Sequence, residues 1–142
     1  MSYESLYSDL VQRHLGRKPV PSDGSSDAEL DEAEGRLGSR LPAAVRRYYR
    51  VAGNLVELNH AHNLLFAPSD LHMCEGFLIF MEENQAVVHW GIRAGELTED
   101  DPDVWQRVNV VPPEWYSEEM TFSEFIVRTL DWQAGLEGAD PV

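Results

Sequence analysis

The sequence predicts an α+β domain in which N-terminal helices and a C-terminal helix pack against a central, mainly antiparallel sheet of about four to six strands. Apolar residues recur at steps of three and four before Gly53 and again over 122–130, which is the period of a helix face. Short apolar or alternating runs, typical of strands, fill the stretch between Asn63 and Asn109. The 142 residues are the usual length of one domain, so we expect a single core.

Two helices are predicted near the N-terminus. An apolar stripe over 3–15 predicts the first, and the segment 19–25, rich in proline, glycine and serine, is typical of a linker. Ser26 and Glu29 then have the spacing of a capping box, in which each side chain bonds the free backbone N–H of the other residue. We therefore expect a second helix from there to about Leu37.

Two further helices follow the same rules. The stripe over 41–52 predicts a third helix, with Pro42 in its first turn. Thr121 and Glu124 form a second capping box directly before an apolar stripe. We expect the last helix to begin at this box and to end at Gly135, because a glycine is a common helix stop.

Four runs predict strands, and a fifth strand around Trp115 is confined to an edge because the two prolines before it cannot donate to a ladder. The four runs are 64–66, 77–81, 86–90 and 104–108. The segment 82–85 has the length of an ordinary hairpin loop, so the second and third runs should form an antiparallel pair at the centre of the sheet. The segment 96–103 carries five carboxylates in eight residues, so we expect a solvated loop there.

Composition excludes several classes of function. Eleven Lys and Arg stand against 25 Asp and Glu, and the net charge of −14 disfavours binding to nucleic acid or to an anionic membrane surface. The longest apolar run, Phe77 to Met81, is far shorter than the roughly 20 residues of a membrane-spanning helix, and the N-terminus is acidic where a signal peptide is basic. The single cysteine, Cys74, allows no internal disulfide. We expect a cytoplasmic protein whose oligomeric state the sequence leaves open.

Two constellations suggest chemistry, and each has a simpler explanation. Imidazoles and a thiolate are good zinc ligands, although the spacing matches no tight zinc motif and scattered histidines are common on loops. The candidate ligands are His60, His62, His72 and Cys74. A hydrolase triad could draw on Ser69, Asp70 and His72, but no nucleophile motif surrounds the serine. We expect no enzyme, no metal and no cofactor.

Acidic clusters and two tryptophans are the candidate partner-binding residues. Clustered carboxylates can steer a basic partner, and tryptophans are frequent interface anchors. The same carboxylates also suit a face that serves only solubility. The candidates are Glu82, Glu83, Glu99, Asp100, Asp101, Asp103, Trp105 and Trp115. The carboxylates, together with Glu118 and Glu119, could form one acidic surface.

Several short motifs occur in an order and spacing that resemble a known family. The segment Leu37 to Pro42 precedes a helix with paired tyrosines that ends at Ala52 to Asn54. The segments Phe80 to Gln85, Trp90-Gly91 and Asp101 to Trp105 come next, before the closing helix. Each motif is short, so their order and spacing carry the weight. Together they resemble the SUKH superfamily.

The resemblance spans Ala28 to Trp132 and implies an α+β fold with helices against a central sheet. Members of the family are chiefly immunity proteins of bacterial polymorphic toxin systems, and one fungal branch regulates cell-wall assembly as an interaction hub. No function of a member requires catalysis. The resemblance implies one domain over 1–142, with an N-terminal helix and linker over 1–25, the family-matching core over 26–134 and a tail over 135–142.

A non-enzymatic protein-binding domain is therefore the expected function. The resemblance implies an immunity protein that occludes the active site of a cognate toxin. A basic effector domain of nuclease type would suit the acidity of the chain, because a basic cleft attracts an acidic inhibitor as it attracts its substrate. The alternative is a cytoplasmic regulatory module similar to the fungal branch, and rescue of a host from a co-expressed toxin would discriminate the two.

Overall fold

The structure is a computed structural model that describes residues 2–135. Within these residues, five α-helices and a six-stranded antiparallel sheet confirm the predicted α+β class. The helices are α1 (Tyr3–Leu15), α2 (Asp27–Leu37), α3 (Ala43–Ala52), α4 (Val56–Asn59) and α5 (Phe122–Gln133). The strands are β1 (Leu64–Leu65), β2 (His72–Cys74), β3 (Phe77–Glu82), β4 (Val88–Arg93), β5 (Asp103–Val108) and β6 (Glu114–Thr121).

The helix ends follow from local hydrogen bonding. The predicted capping box at the start of α2 is confirmed: Glu29 N donates to Ser26 Oγ, and Ser26 N donates to the Glu29 carboxylate, both at 3.1 Å. At the predicted box before α5, Glu124 Oε1 accepts from both Thr121 N and Thr121 Oγ1 at 3.0 Å. The prediction that Pro42 lies in the first turn of α3 is wrong by one residue. The backbone of Pro42 is extended, with ψ 147°, so Pro42 is the N-cap and the helix begins after it.

The sheet has the order β1-β3-β4-β5-β6, and β2 also pairs with β3. The predicted hairpin of β3 and β4 is confirmed, and β6 lies at an edge as expected. In β3 the register shifts between Ile79 and Met81, which places one extra residue, Phe80, opposite β4. This bulge lets the consecutive side chains of Phe80 and Met81 both enter the core.

The core lies between one face of the sheet and the helices. Phe80 of β3 contacts Phe122 and Phe125 of α5, with ring centroids 5.2 Å and 5.9 Å away. Trp90 is buried beside Phe125, as expected, and its indole N–H donates to Glu118 at 2.9 Å. Helices α1 and α3 complete this layer through three fully buried tyrosines, Tyr7, Tyr48 and Tyr49.

The short elements α4 and β2 were not predicted from the sequence pattern. The predicted tail over 135–142 lies outside the described residues except for Gly135, whose φ of 69° suits the predicted helix stop. The longest helix in the described part of the chain, α1, has 13 residues, and none there is long and apolar enough to cross a membrane.

Candidate functional site

One face of the sheet is packed against helices and the other is not. Residues directly opposite each other in an antiparallel pair share a face. On the helix side, Leu78, Ile92 and Val104 are fully buried. The residues that alternate with them form the open face, which is half-exposed or exposed at most positions. It consists of Phe77, Ile79, Glu82, His89, Gly91, Arg93, Asp103, Trp105, Arg107, Trp115 and Ser117.

Three aromatic side chains, the aromatic cluster, occupy the middle of the open face. The rings of Phe77 and Trp115 stack with centroids 3.6 Å apart and planes 7° apart. Trp105 meets Phe77 edge to face at 6.2 Å, and the Arg93 guanidinium lies 3.9 Å from the Trp105 ring centroid. Among the described residues, the ring and hydrogen-bond partners of this cluster come from strands and turns, so the helices do not hold it.

Gly91 of β4 makes room for the aromatic cluster. It lies between Ile79 and Trp105 in the strand pairing, on the same face. A Cβ at this position would come within 2.9 Å of the Leu78 carbonyl oxygen and within 3.3 Å of the Phe77 Cβ. The absence of a side chain therefore lets Phe77 reach across β4 and β5 toward Trp115.

Glu75 connects the β2–β3 turn to β5 and β6. Its carboxylate accepts from Arg107 Nη2 at 2.6 Å and from the Trp115 indole N–H at 3.1 Å. The hydrogen bond from Arg107, followed by that from Trp115, holds the pKa of Glu75 below its ordinary value of 4.5. Sequence reasoning missed this residue. The available signal was weak: Glu75-Gly76 is a two-residue turn between short strands, and both residues have positive φ, as type I′ hairpin turns require.

The structure places four of the eight predicted partner-binding residues on the open face: Glu82, Asp103, Trp105 and Trp115. The other four, Glu83, Glu99, Asp100 and Asp101, lie in the loops beyond the strand ends. The two predicted tryptophan anchors therefore come together.

The predicted carboxylates do not form one acidic surface. Glu82 and Glu83 lie where β3 ends, beside the turn that joins β5 to β6. We call this the hairpin end, defined by loops 83–87 and 109–113. The acidic loop, residues 96–103, lies at the opposite end of the same strands. Strands of six residues separate the two by about 20 Å.

The acidic loop is ordered and partly buried, which corrects the expectation of a fully solvated loop. Leu97 is only 4% exposed and Pro102 is buried, so apolar side chains anchor both halves of the loop. The Asp100 carbonyl accepts from Ala44 N at 2.8 Å, at the start of α3. The side chain of Asp100 stays exposed beside a cavity of about 600 Å³ between the loop and α2–α3.

The side chain of Asp101 is hydrogen-bonded to the start of α5. Its carboxylate accepts from Ser123 N at 2.9 Å and from Ser123 Oγ at 2.5 Å, in the first turn of α5. The neighbouring Pro102 carbonyl accepts from Phe122 N at 2.9 Å. Of the acidic loop's candidates, Glu99, Asp100 and Asp103 keep exposed side chains, and Asp101 caps a helix.

The candidate metal ligands are held apart. His72 and Cys74 lie on β2, where the His72 ring packs beside Phe66. His62 instead packs edge to face against Trp132 of α5, and His60 follows α4. In the described part of the chain, no group of three His, Cys, Asp or Glu is placed to hold a metal ion.

The candidate triad is not assembled through side chains. Ser69 and Asp70 lie in a single turn of 3₁₀ helix before β2. His72 Nδ1 lies 3.0 Å from the backbone carbonyl of Asp70, which leaves the Asp70 carboxylate out of the contact.

Comparison of the chain with protein-family models, with curated proteins and with solved structures gave no match. The basis for assigning a function is the sequence together with the geometry of the open face.

Proposed function

We propose that this chain is a non-enzymatic protein-binding domain of the SUKH superfamily, an immunity protein that neutralises a toxin by occluding its active site. The partner is a basic effector domain of nuclease type, and it binds along the open face. The observation that supports this proposal is the aromatic cluster, whose rings are partly exposed on a sheet face that the helices leave uncovered.

The aromatic cluster has the properties of an interface centre. Large aromatic and arginine side chains dominate the binding energy of protein interfaces, and here Trp105, Trp115 and Arg93 lie together. Stacking with Phe77 and the bond to Glu75 fix the ring of Trp115 before any partner arrives. A fixed side chain loses little entropy on binding, so this arrangement favours affinity.

The charges support a basic partner. Several arginines form ion pairs with carboxylates of the same chain, so their charges are already compensated. Arg46, for example, pairs with Asp27, Asp31 and Glu34 at 3.0–3.2 Å. The exposed side chains of Glu99 and Asp100 are held by a loop whose backbone is bonded to α3, so their negative field has a fixed position. Such a field raises the association rate and the specificity for a basic partner more than it raises the affinity.

The first experiment isolates the partner. The full chain is immobilised, exposed to lysate and secretion fraction of the native organism, and washed at low and at high salt. We expect a basic effector domain from a larger secreted protein that high salt releases, and co-expression of the chain should rescue a host from that domain. Failure to rescue, or recovery of ordinary cytoplasmic proteins alone, would contradict the immunity function and favour the regulatory alternative.

Two adjacent substitutions on β6 then test the binding face. Trp115→Ala removes a member of the aromatic cluster, and we expect the affinity for the isolated domain to fall by about tenfold or more. Tyr116→Ala is the matched control, because Tyr116 is the neighbouring aromatic residue, is 50% exposed and points to the opposite face of β6. Equal losses in both variants, at equal melting temperatures, would show that the open face is not the binding face.

A further inference from the structure

An exposed apolar group lies at the hairpin end of the sheet. Val87 is 50% exposed, Val110 is 45% exposed and Val111 is fully exposed. We call these three residues the valine tip. Single exposed apolar residues are ordinary, but these three lie in two adjoining turns, and exposed apolar residues that cluster in this way mark interaction sites.

The two turns that carry the valine tip are bonded to each other. Asn109 N donates to the Val87 carbonyl at 3.0 Å, and Asn109 Nδ2 donates to the Ala86 carbonyl at 2.7 Å. Pro112 and Pro113 follow the tip directly, and their rings fix φ in that part of the turn. The valine tip is therefore a preorganised projection of the sheet, and binding costs it little conformational entropy.

Carboxylates outnumber basic side chains near the valine tip. Glu82 and Glu83 precede Val87, and Glu114 follows the prolines, where it accepts a hydrogen bond from the Tyr116 hydroxyl. Two basic side chains also lie there: Arg107, which donates to Asn109 Oδ1, is paired with Glu75, and His89 lies 3.3 Å from Glu82. A second copy of this chain would bring the same carboxylates against each other around the valines. Repulsion of like charges disfavours that arrangement, and an apolar cleft rimmed by Lys and Arg is complementary to it.

The open face is too small to form a complete protein interface by itself. Between β3 and β6 the face is about 20 Å long and about 14 Å wide, whereas a standard interface buries about 800 Å² on each partner. A partner that covers the aromatic cluster must therefore extend past a strand end or past an edge of this part of the sheet. At the hairpin end it meets the valine tip, close to Trp115, which is only two residues after Pro113.

We propose that the valine tip is the apolar anchor of this interface and inserts Val111 into an apolar cleft with a basic rim on the partner protein. This inference rests on the proposed function, because it assigns a second contact to the same interface. It specifies the shape of the partner as well: a fully exposed side chain at the end of a projecting turn fits a concave surface, as an active-site cleft provides.

Site-specific photo-crosslinking tests the proposal with the full chain. The photoreactive residue p-benzoylphenylalanine replaces Val111 in one sample and Val56 in a second. Val56 is the matched control, because it is 61% exposed but lies on α4, outside the two turns that carry the valine tip. A third sample carries the crosslinker at Ser117, an exposed residue opposite Trp105 on the open face, and reports binding there with the aromatic cluster intact. Each is irradiated with the native lysate and secretion fraction, and the crosslinked peptides are sequenced.

The expected result is that the Val111 and Ser117 samples crosslink to one protein, and that the Val56 sample does not. The segments that Val111 contacts should contain apolar residues flanked by Lys or Arg. Val111→Asp and Val110→Asp should each lower the affinity for that protein by about tenfold or more at unchanged melting temperature. Crosslinking from Ser117 alone would overturn the role of the valine tip and leave the proposed function standing. Crosslinking of Val111 to another copy of the chain would overturn the basic partner at the tip, and no crosslink from either site would overturn both proposals.

Discussion

Three buried tyrosine hydroxyls tie distant parts of the helical layer together. Tyr7 donates to the Ala44 carbonyl at 2.8 Å, and Tyr49 donates to the Phe66 carbonyl at 2.6 Å. Tyr48 donates to Asn59 Oδ1, also at 2.6 Å. Burial raises the pKa of all three phenols, so each stays a neutral donor. The side chains thus supply both apolar area and a directed bond, which specifies how α1, α3 and α4 meet.

Replacing Tyr48 with Phe tests one of these bonds. The ring would still fill its place, but Asn59 Oδ1 would lose its donor inside the core. An unsatisfied buried acceptor costs about 1–3 kcal/mol, so we expect the free energy of unfolding in urea to fall by that amount. Tyr116→Phe is the control, since its hydroxyl bonds Glu114 on the surface. A loss for Tyr48→Phe no larger than for Tyr116→Phe would contradict the assigned role.

The carboxyl of Glu75 is expected to report the state of the open face during acid titration. Its pKa is lowered in the folded chain by Arg107 first and Trp115 second, so the contact stabilises the fold above pH 4.5 and is lost as the pH falls through the lower, folded value. The Trp115 indole N–H resonance should therefore shift with a midpoint below 4.5. The shift should vanish in Glu75→Gln and persist in Glu119→Gln. A midpoint at or above 4.5 would mean that the contact does not form.

Elements with strong local signals were the ones that could be predicted. The capping-box residues at Ser26 and Thr121 predict the starts of α2 and α5, because their hydrogen bonds involve residues only three positions apart. Helix α4 has four residues and β2 has three, so neither is long enough to show a period. Their conformations depend on tertiary contacts, such as the bond from Tyr48 to Asn59 in α4.

The aromatic cluster illustrates what sequence patterns leave out. Alternation predicts that Trp105 and its neighbours lie on strands, but it does not say which residues of non-adjacent strands meet. Phe77 and Trp115 stack across two intervening strands, and the contact depends on the register of three strand pairs and on the absence of a side chain at Gly91. The sequence could identify the tryptophans as candidate anchors, whereas it gave only a weak signal for Glu75 and none for the role of Phe77.

The acidic loop should owe its order to Asp101. Asp101→Ala removes both bonds to Ser123 at the start of α5, and the loss of a helix cap costs about 0.5–2 kcal/mol. We expect a lower melting temperature and a lower free energy of unfolding. Asp103→Ala is the matched control, because Asp103 is a nearby carboxylate that is exposed at the start of β5. Equal stability of the two variants would show that the cap at Ser123 contributes nothing.

The whole molecule distributes its charge unevenly. Arginines concentrate on the helical side, where Arg46 and Arg50 both pair with Asp27 and where Arg13 joins α1 to α5 through Asp131. Carboxylates are spread more widely: α2 alone carries five, and further groups lie at the acidic loop and near the valine tip. The open face between them carries arginines and carboxylates in nearly equal number. A partner lying along the sheet would therefore meet an aromatic centre with a negative field at each end.

The same surplus of carboxylates should make the fold more stable at high salt. With a net charge of −14, compaction brings like charges together, and salt screens that repulsion as the Debye length falls from about 30 Å at 0.01 M to about 3 Å at 1 M. Salt also weakens ion pairs, but exposed pairs contribute only about 0–1 kcal/mol each. We therefore expect the melting temperature to rise with sodium chloride. It should rise less in the double variant Glu99→Gln with Asp100→Asn, because this variant lowers the repulsion without removing an ion pair of the described chain. A melting temperature that falls with salt would contradict this expectation. It would show that ion pairs such as those of Arg46 contribute more to stability than the repulsion among the carboxylates takes away.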